Sequence, residues 1–481
     1  MPKKRRVLIA GAGDGGKYAL QELRSRHSEK VEIVGFVDDS AVLQGQEIDH
    51  LRVFGTTFDI ERLASDLGFD DVVIAMPSAH GAVVKRIRNI CESVGVGCRI
   101  LPGVYDILTG ESRVTSSIRE VRFEDLVKRE PIKTNRSEVV SYLQGATVLI
   151  TGAAGSIGSE IVDQVAHLRP RLLVLVDRSE NGMAELLWNL QMNNLRHLVV
   201  PVIADLQDEK RISKIFSRFS PDVVFHAAAF KHVYFMEIYP EESVKNNILA
   251  SDCLFRIALK NKAKRLITIS TDKAVNPTCV MGASKRFVEL LMEEYARQSK
   301  YTELAAVRFG NVFDSEGSVV RLFRKQIEQG GPITITHPDV ERFFMSVAEA
   351  AHLVIQAGAL LQNGAIYVLK MGNQVKIMEI AREMCRIYGY DPDHQIQFII
   401  TGLKNGEKMS EELVGSGEAI EPTSSENILR IAKRQQGDWI DMKGTLDDLS
   451  KYAKSADREA IIATLMKIIP EYNPVSNNSC S

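Results

Sequence analysis

The chain of 481 residues has 45% hydrophobic and 25% charged side chains, which excludes a disordered chain and predicts two or three domains, because the length exceeds what one core serves. Its 60 basic and 62 acidic side chains nearly cancel, for a formal net charge of -2, and this excludes the broad positive footprint of a dedicated nucleic-acid binder. Six cysteines, at 91, 98, 253, 279, 385 and 480, include no CxxC pair, so neither a metal site nor a disulfide framework is expected and a reducing, cytoplasmic setting fits.

The basic start, Met1 to Arg6, precedes an apolar run that Gly11 cuts short, so it reads as the lead-in to a strand and not as a secretory signal. A strand over Arg6–Ala10, a helix from the turn Gly11-Ala-Gly13-Asp-Gly-Gly16 through Leu23, and a strand over Val31–Val37 ending at Asp38-Asp39 predict a dinucleotide-type unit over residues 1–130. A later strand over Val72–Met76 is stopped by Pro77. This unit has the glycine spacing without chemistry downstream of it, so nucleotide binding and a purely architectural role both stay open. Residues 131–145 read as a connector.

A second unit is expected over 146–470. It opens with a strand at Thr147–Ile150, the turn Thr151-Gly152-Ala-Ala-Gly155-Ser156-Ile157-Gly158, a helix from Ser159 to Leu168 ending before Pro170, and a strand over Leu172–Val176 that ends at Asp177. Further strands are read at 198–203, 223–226, 266–270 and 305–309, and this alternation predicts a doubly wound parallel sheet in each unit. Beyond Asn311 the pattern loosens into a mixed, substrate-covering lobe, and 471–481 read as a flexible tail. No stretch reaches the roughly 20 apolar residues of a membrane helix; Val347–Leu361 carries Glu349, His352 and Gln356 and reads as a buried amphipathic helix.

In the second glycine turn, missing side chains let the backbone approach a pyrophosphate at a helix N-terminus. Asp177, about twenty residues on, would accept ribose hydroxyls and so favours NAD, although the neighbouring Arg178 could meet a 2′-phosphate. Thr271-Asp272-Lys273 lies just beyond a strand's carboxyl end, where open α/β sheets bind ligands, and sets an acid beside a base.

With Asp205-Leu206 after the third strand and His226-Ala227-Ala228-Ala229 after the fourth, this unit resembles the extended short-chain dehydrogenase/reductase family. The segments Ala228-Ala-Phe-Lys-His232, Ser270-Thr-Asp-Lys-Ala-Val-Asn-Pro277, Met281-Gly-Ala-Ser-Lys285, Arg308-Phe-Gly-Asn311, Arg342-Phe-Phe-Met345 and Gly402-Leu-Lys-Asn-Gly-Glu-Lys408 narrow the likeness to polysaccharide-biosynthesis UDP-N-acetylglucosamine 4,6-dehydratases. Larger members of that group begin with membrane helices, which this sequence lacks, and share a stretch like Gly35-Phe-Val-Asp-Asp39.

The resemblance implies that the chain oxidises a UDP-sugar at C-4, removes the C-5 proton, expels the C-6 hydroxyl as water and returns the hydride to C-6. It implies Asp272 as the acid, Lys273 as the C-5 base, Thr271 helping at the C-4 hydroxyl and Lys285 on the nicotinamide ribose. It also implies Asp205, Leu206, Ala227 and Ala228 along the cofactor, substrate contacts from Lys231, Asn246, Asn311 and Arg342, and a homo-oligomer. Met281 stands where the family's usual Tyr-x-x-x-Lys motif has its tyrosine, and methionine carries no proton; it marks the subtype that retains configuration at C-5. Phe230 and Tyr234 depart from a usual tyrosine and proline. A UDP-sugar 4-epimerase and a non-catalytic dinucleotide-binding scaffold are the alternatives.

Overall fold

The computed structural model describes residues 4–27, 29–101, 103–106, 111–114, 118–121, 123–126, 136–432 and 441–475. Residues 131–135 of the expected connector and 476–481 of the expected tail lie outside these. The chain divides into two units, Met1–Lys133 and Thr134–Ser481.

The first unit is built on strands β1 (Arg5–Ala10), β2 (Val31–Val37), β3 (Asp71–Ile74), β4 (Gly97–Ile100) and β5 (Arg119–Glu120), in the order β2-β1-β3-β4-β5. All pairings are parallel except that of β5 with β4. Central strands are covered on both faces, which is why they read as unbroken apolar runs. Helix α1 (Asp14–His27) sets Ala19, Leu20 and Leu23 against Val7 and Ile9. A Cβ on Gly16 would come within 2.1 Å of the Gly11 carbonyl oxygen, so only glycine lets this helix approach its strand so closely.

The main sheet of the second unit has nine strands: β6 (Thr147–Thr151), β7 (Leu172–Asp177), β8 (Val199–Ile203), β9 (Val223–His226), β10 (Arg265–Thr271), β11 (Glu303–Phe309), β12 (Ala365–Leu369), β13 (Ile420–Pro422) and β14 (Ile428–Ile431). Their order is β8-β7-β6-β9-β10-β11-β12-β14-β13. The first seven run parallel and the last two are added antiparallel. Both expected Rossmann-like sheets are therefore present. The chain order reverses on either side of β6, and at such a switch point the crevice beyond the strand ends opens for a ligand.

Three of the differences from expectation bear on the second unit. Helix α2 (Ser156–Ala166) begins three residues earlier than the sequence suggested because Gly155, in extended conformation, already serves as its N-cap. Residues 136–143 form a helix of the second unit, tied to it by the Tyr142 hydroxyl donating to the Ile355 carbonyl at 2.5 Å. The region beyond Asn311 is only partly a separate lobe, since β12, β13 and β14 rejoin the main sheet. What remains of it includes the short pairs Asn311–Val312 with Phe344–Met345 and Glu341–Arg342 with Val375–Lys376. Among the described residues, no helix is long and apolar enough to cross a membrane.

Candidate active site

The crevice at β6 is shaped by its glycines. Gly152 has φ +65°, and a Cβ there would lie 2.6 Å from the Ala228 nitrogen, while one on Gly158 would lie 2.0 Å from the Gly152 oxygen. Those two positions are needed for packing, and they bring Ala227 and Ala228 against the turn. A Cβ on Gly155 would meet nothing nearer than 3.3 Å, so the start of α2 keeps open backbone at the place where a helix N-terminus attracts an anion. Ser156 and Ile157 form its first turn, and the Ser156 hydroxyl accepts from the Glu316 backbone at 3.0 Å.

The candidate ribose and adenine residues gather beside that turn. Asp177 accepts from the backbone N–H of Ala154 at 3.0 Å and of Ser179 at 2.8 Å. Arg178 lies over the Phe230 ring at 4.4 Å, donates to Asn246 at 3.4 Å and stands 3.9 Å from Asp205. Leu206 is buried in the core below. The geometry thus groups Asn246 with the residues read for the cofactor, apart from Lys231, which is exposed and faces the charge of Glu316.

Strand β10 delivers Thr271, and the single 3₁₀ turn after it holds Asp272 and Lys273. Asp272 has no exposed surface. Its Oδ1 accepts from the Thr271 hydroxyl at 2.9 Å and from Lys273 Nζ at 3.0 Å, whereas Oδ2 is buried without a hydrogen-bond partner. Gly310 makes room for it, since a Cβ there would stand 2.9 Å from Oδ2. Lys273 also donates to the Asn311 side chain at 3.1 Å, and its Nζ is 3.5 Å from Glu411. Burial alone would push the Lys273 amine down, but the carboxylates of Asp272 and Glu411 outweigh it and hold the ammonium above its ordinary range.

Helix α3 (Val280–Gln298) carries Met281 and Lys285 one turn apart. Met281 packs with Met236 and Cys279 under Phe230 and Val233. Burial pushes the Lys285 ammonium down to about 8, against the pull of Glu289. Beneath them His226 is held at about 3 by burial and by Lys285; being neutral, it bridges the Thr151 hydroxyl at 2.8 Å and the Ser251 hydroxyl at 2.9 Å.

Two residues that sequence reasoning passed over are placed at the centre. Asn247, 1% exposed, accepts from the Phe230 nitrogen at 2.8 Å and donates to the Phe230 carbonyl and the Ser284 hydroxyl, each at 3.0 Å, so it clamps the strand-end loop to α3. Glu411, 4% exposed, faces Lys273, Arg342 and Lys408. Arg342 itself is buried, with its fork engaged by Glu407 at 3.2 Å and by the carbonyls of Glu341 and Met409.

Comparison with known proteins places this geometry in context. A family model described as polysaccharide biosynthesis protein matches residues 148–433, and one described as CoA-binding domain matches residues 2–102. The chain is 38% identical over 464 residues to the probable polysaccharide biosynthesis protein EpsC of Bacillus subtilis, covering 96% of this chain and 76% of that protein. It is 35% identical over 281 residues to the UDP-glucose 4-epimerase of Rickettsia canadensis, covering 56% of this chain and 78% of that one. The X-ray structure of Pen from Bacillus thuringiensis matches with a TM-score of 0.55 and 30% identity, over 60% of this chain and 90% of that chain.

Proposed function

The chain belongs to the polysaccharide biosynthesis protein family, and from that premise we propose that it is an NAD-dependent UDP-N-acetylglucosamine 4,6-dehydratase that retains configuration at C-5. The observation that carries this reading is the Asp272–Lys273 couple, sequestered at the carboxyl end of β10. An exposed ion pair of the same sequence would contribute little to stability and do no chemistry.

A dinucleotide fits the open backbone at Gly155, with Gly152, Ser156, Ile157 and Gly158 around the pyrophosphate, Asp177 and Arg178 toward the ribose, Asp205 and Leu206 toward the adenine, Ala227 and Ala228 alongside, and Lys285 at the nicotinamide ribose. When bound, NAD supplies reversible hydride acceptance at the sugar. Thr271 helps remove the C-4 hydroxyl proton, a task that Met281 cannot perform. A ketone at C-4 makes the C-5 hydrogen acidic, and Lys273 as free amine takes it. Asp272 as carboxylic acid gives a proton to the departing C-6 hydroxyl; with the hydride returned to C-6, Lys273 gives its proton back to C-5 on the face it left, which restores the configuration. One proton passed from Lys273 to Asp272 creates both working forms without changing the charge of the site, and Oδ2 is the oxygen with no other partner. Lys231, Asn311 and Arg342 supply the substrate contacts, with Arg342 exchanging its bonds to Glu407 for those to an anion, while Asn246 goes with Arg178 and Asp205 toward the cofactor.

The likeness to a UDP-glucose 4-epimerase favours one second reading, in which the same C-4 oxidation serves epimerisation. Met281 and the acid–base couple count against it, because inversion at C-4 needs no elimination. Incubation with UDP-N-acetylglucosamine and catalytic NAD, followed by mass spectrometry, separates the readings. Loss of one water is expected; a mass-neutral isomer would mean the epimerase, and an unchanged sugar a scaffold.

A further inference from the structure

Of the two carboxylates that face Lys273, the chemistry above leaves one without a task. Glu411 lies on a segment that is neither helix nor strand, yet Gln374 grips its backbone from both sides: Gln374 Oε1 accepts from the Glu411 nitrogen at 3.1 Å and Nε2 donates to the Glu411 oxygen at 3.0 Å. Its Oε1 stands 3.5 Å from Lys273 Nζ and 3.9 Å from Arg342 Nε, and its Oε2, 3.7 Å from Lys408 Nζ, accepts no hydrogen bond. Three cations converge on one carboxylate at separations longer than the 2.7–2.9 Å of a charge-assisted hydrogen bond. Glu411 therefore acts on Lys273 through its field, while Asp272 and Asn311 take that amine's direct hydrogen bonds.

We propose that Glu411 is a positioning residue for the elimination: its gripped carboxylate holds the Lys273 amine beside Asp272 and governs when that amine is charged. The proposal rests on the dehydratase reading. The groups that face Lys273 are Asp272 on its own turn, Asn311 beyond β11, Arg342 from the short strand, Glu411 from the 402–412 segment, with Lys408 across it, and Cys279 at the start of α3. Asp272 and Glu411 favour the charged amine, whereas Arg342 and burial oppose it. Replacing Glu411 by its neutral isostere leaves Arg342 and Lys408 opposed only by Asp272 and Glu407. With that negative charge gone, every added proton is less favourable, so the Asp272–Lys273 pair takes up the second proton that silences it only at lower pH.

A merely structural strut would change how much enzyme folds or holds NAD, but not the pH at which the pair gains its second proton. The test is the pH dependence of water loss, with C-5 deuterium uptake from heavy water read in parallel, for wild type, Glu411→Gln, Glu411→Asp and Gln374→Ala. In Glu411→Gln the acid limb should move down by about 1 pH unit, within the range expected for removing an opposite charge at this distance. Glu411→Asp should restore the limb, and Gln374→Ala should move it the same way by less. An unmoved limb in a folded, NAD-loaded Glu411→Gln enzyme overturns the proposal; if that variant does not fold, an unmoved limb in Gln374→Ala does so. No dehydration by the wild type would overturn the reading beneath it as well, and dehydration with unmoved limbs overturns the role of Glu411 alone.

Discussion

Asp272 combines complete burial with one carboxylate oxygen that accepts nothing, and a structure tolerates such a group only where something else needs it. Asparagine has nearly the same shape and can still accept from Thr271 and Lys273 through its oxygen, but it has no proton to give. Asp272→Asn should therefore lower water loss by about 10²- to 10⁴-fold, the usual contribution of a positioned acid, while NAD binding, followed by fluorescence, stays unchanged. Full activity in the variant would discard the acid role. At this scale the sequence was legible where the residues are neighbours: Thr271, Asp272 and Lys273 follow one another at the end of a strand that its alternating apolar and β-branched residues mark. It was not legible for Asn247. Residues Val244–Leu249 form a single π-helical turn, which breaks the 3.6-residue period from which a facing side chain is inferred, so Asn246 and Asn247 could not be told apart. Glu411 was hidden for a different reason, since its partners lie 69 and 138 residues away in the chain.

Helix α3 and strand β10 meet at the turn that holds Asp272 and Lys273, and the fit between the two elements depends on a missing side chain. A Cβ on Gly282 would lie 2.2 Å from the carbonyl oxygen of Lys273 and 3.0 Å from its carbon. Both are backbone atoms that cannot swing aside, so the helix start has to move. Gly282→Ala should then displace the Lys273 turn from Asn311 and Glu411, and because misplacement of a catalytic group by about 1 Å can cost 10²-fold, a loss of about one to two orders of magnitude in kcat is expected. Helix content by circular dichroism should not change, since alanine favours helix over glycine. Wild-type kcat in this variant would show that the turn is not positioned by α3. The elements themselves were legible where apolar runs alternate with helical patterns, which covers β1 to β3 and β6 to β11; β4 and β5 at the edge of the first sheet were not read. Strands β12, β13 and β14 were not, because each is three to five residues long, and β12 and the β13–β14 hairpin each reach the sheet only after an intervening excursion. A short run carries no reliable period, and the antiparallel edge pairing is set by tertiary contact.

Across the second unit, acidification should act through two histidines that the fold keeps neutral. His226 is satisfied by Thr151 and Ser251, but His352, inside the Val347–Ala359 helix, has no exposed surface and no hydrogen-bond partner on either ring nitrogen. Burial holds it at about 3, whereas an unfolded histidine titrates near 6.5. Above the unfolded value neither state binds the proton and the histidine has no effect on pH dependence. Between about 6.5 and 3 the unfolded chain takes up a proton that the folded chain refuses, so stability falls as the pH falls, by about 2 kcal/mol for each such histidine between pH 6.5 and 5. His352→Leu removes this uptake, and also two buried polar atoms whose lack of partners is itself unfavourable. The variant should match or exceed wild-type stability at pH 7 and lose about 2 kcal/mol less on going to pH 5, with His226 supplying a share that the substitution does not touch. Urea unfolding of the full chain at both pH values, following the transition that belongs to the second unit, measures the difference directly, and parallel losses in the two proteins would show that His352 takes up its proton while folded.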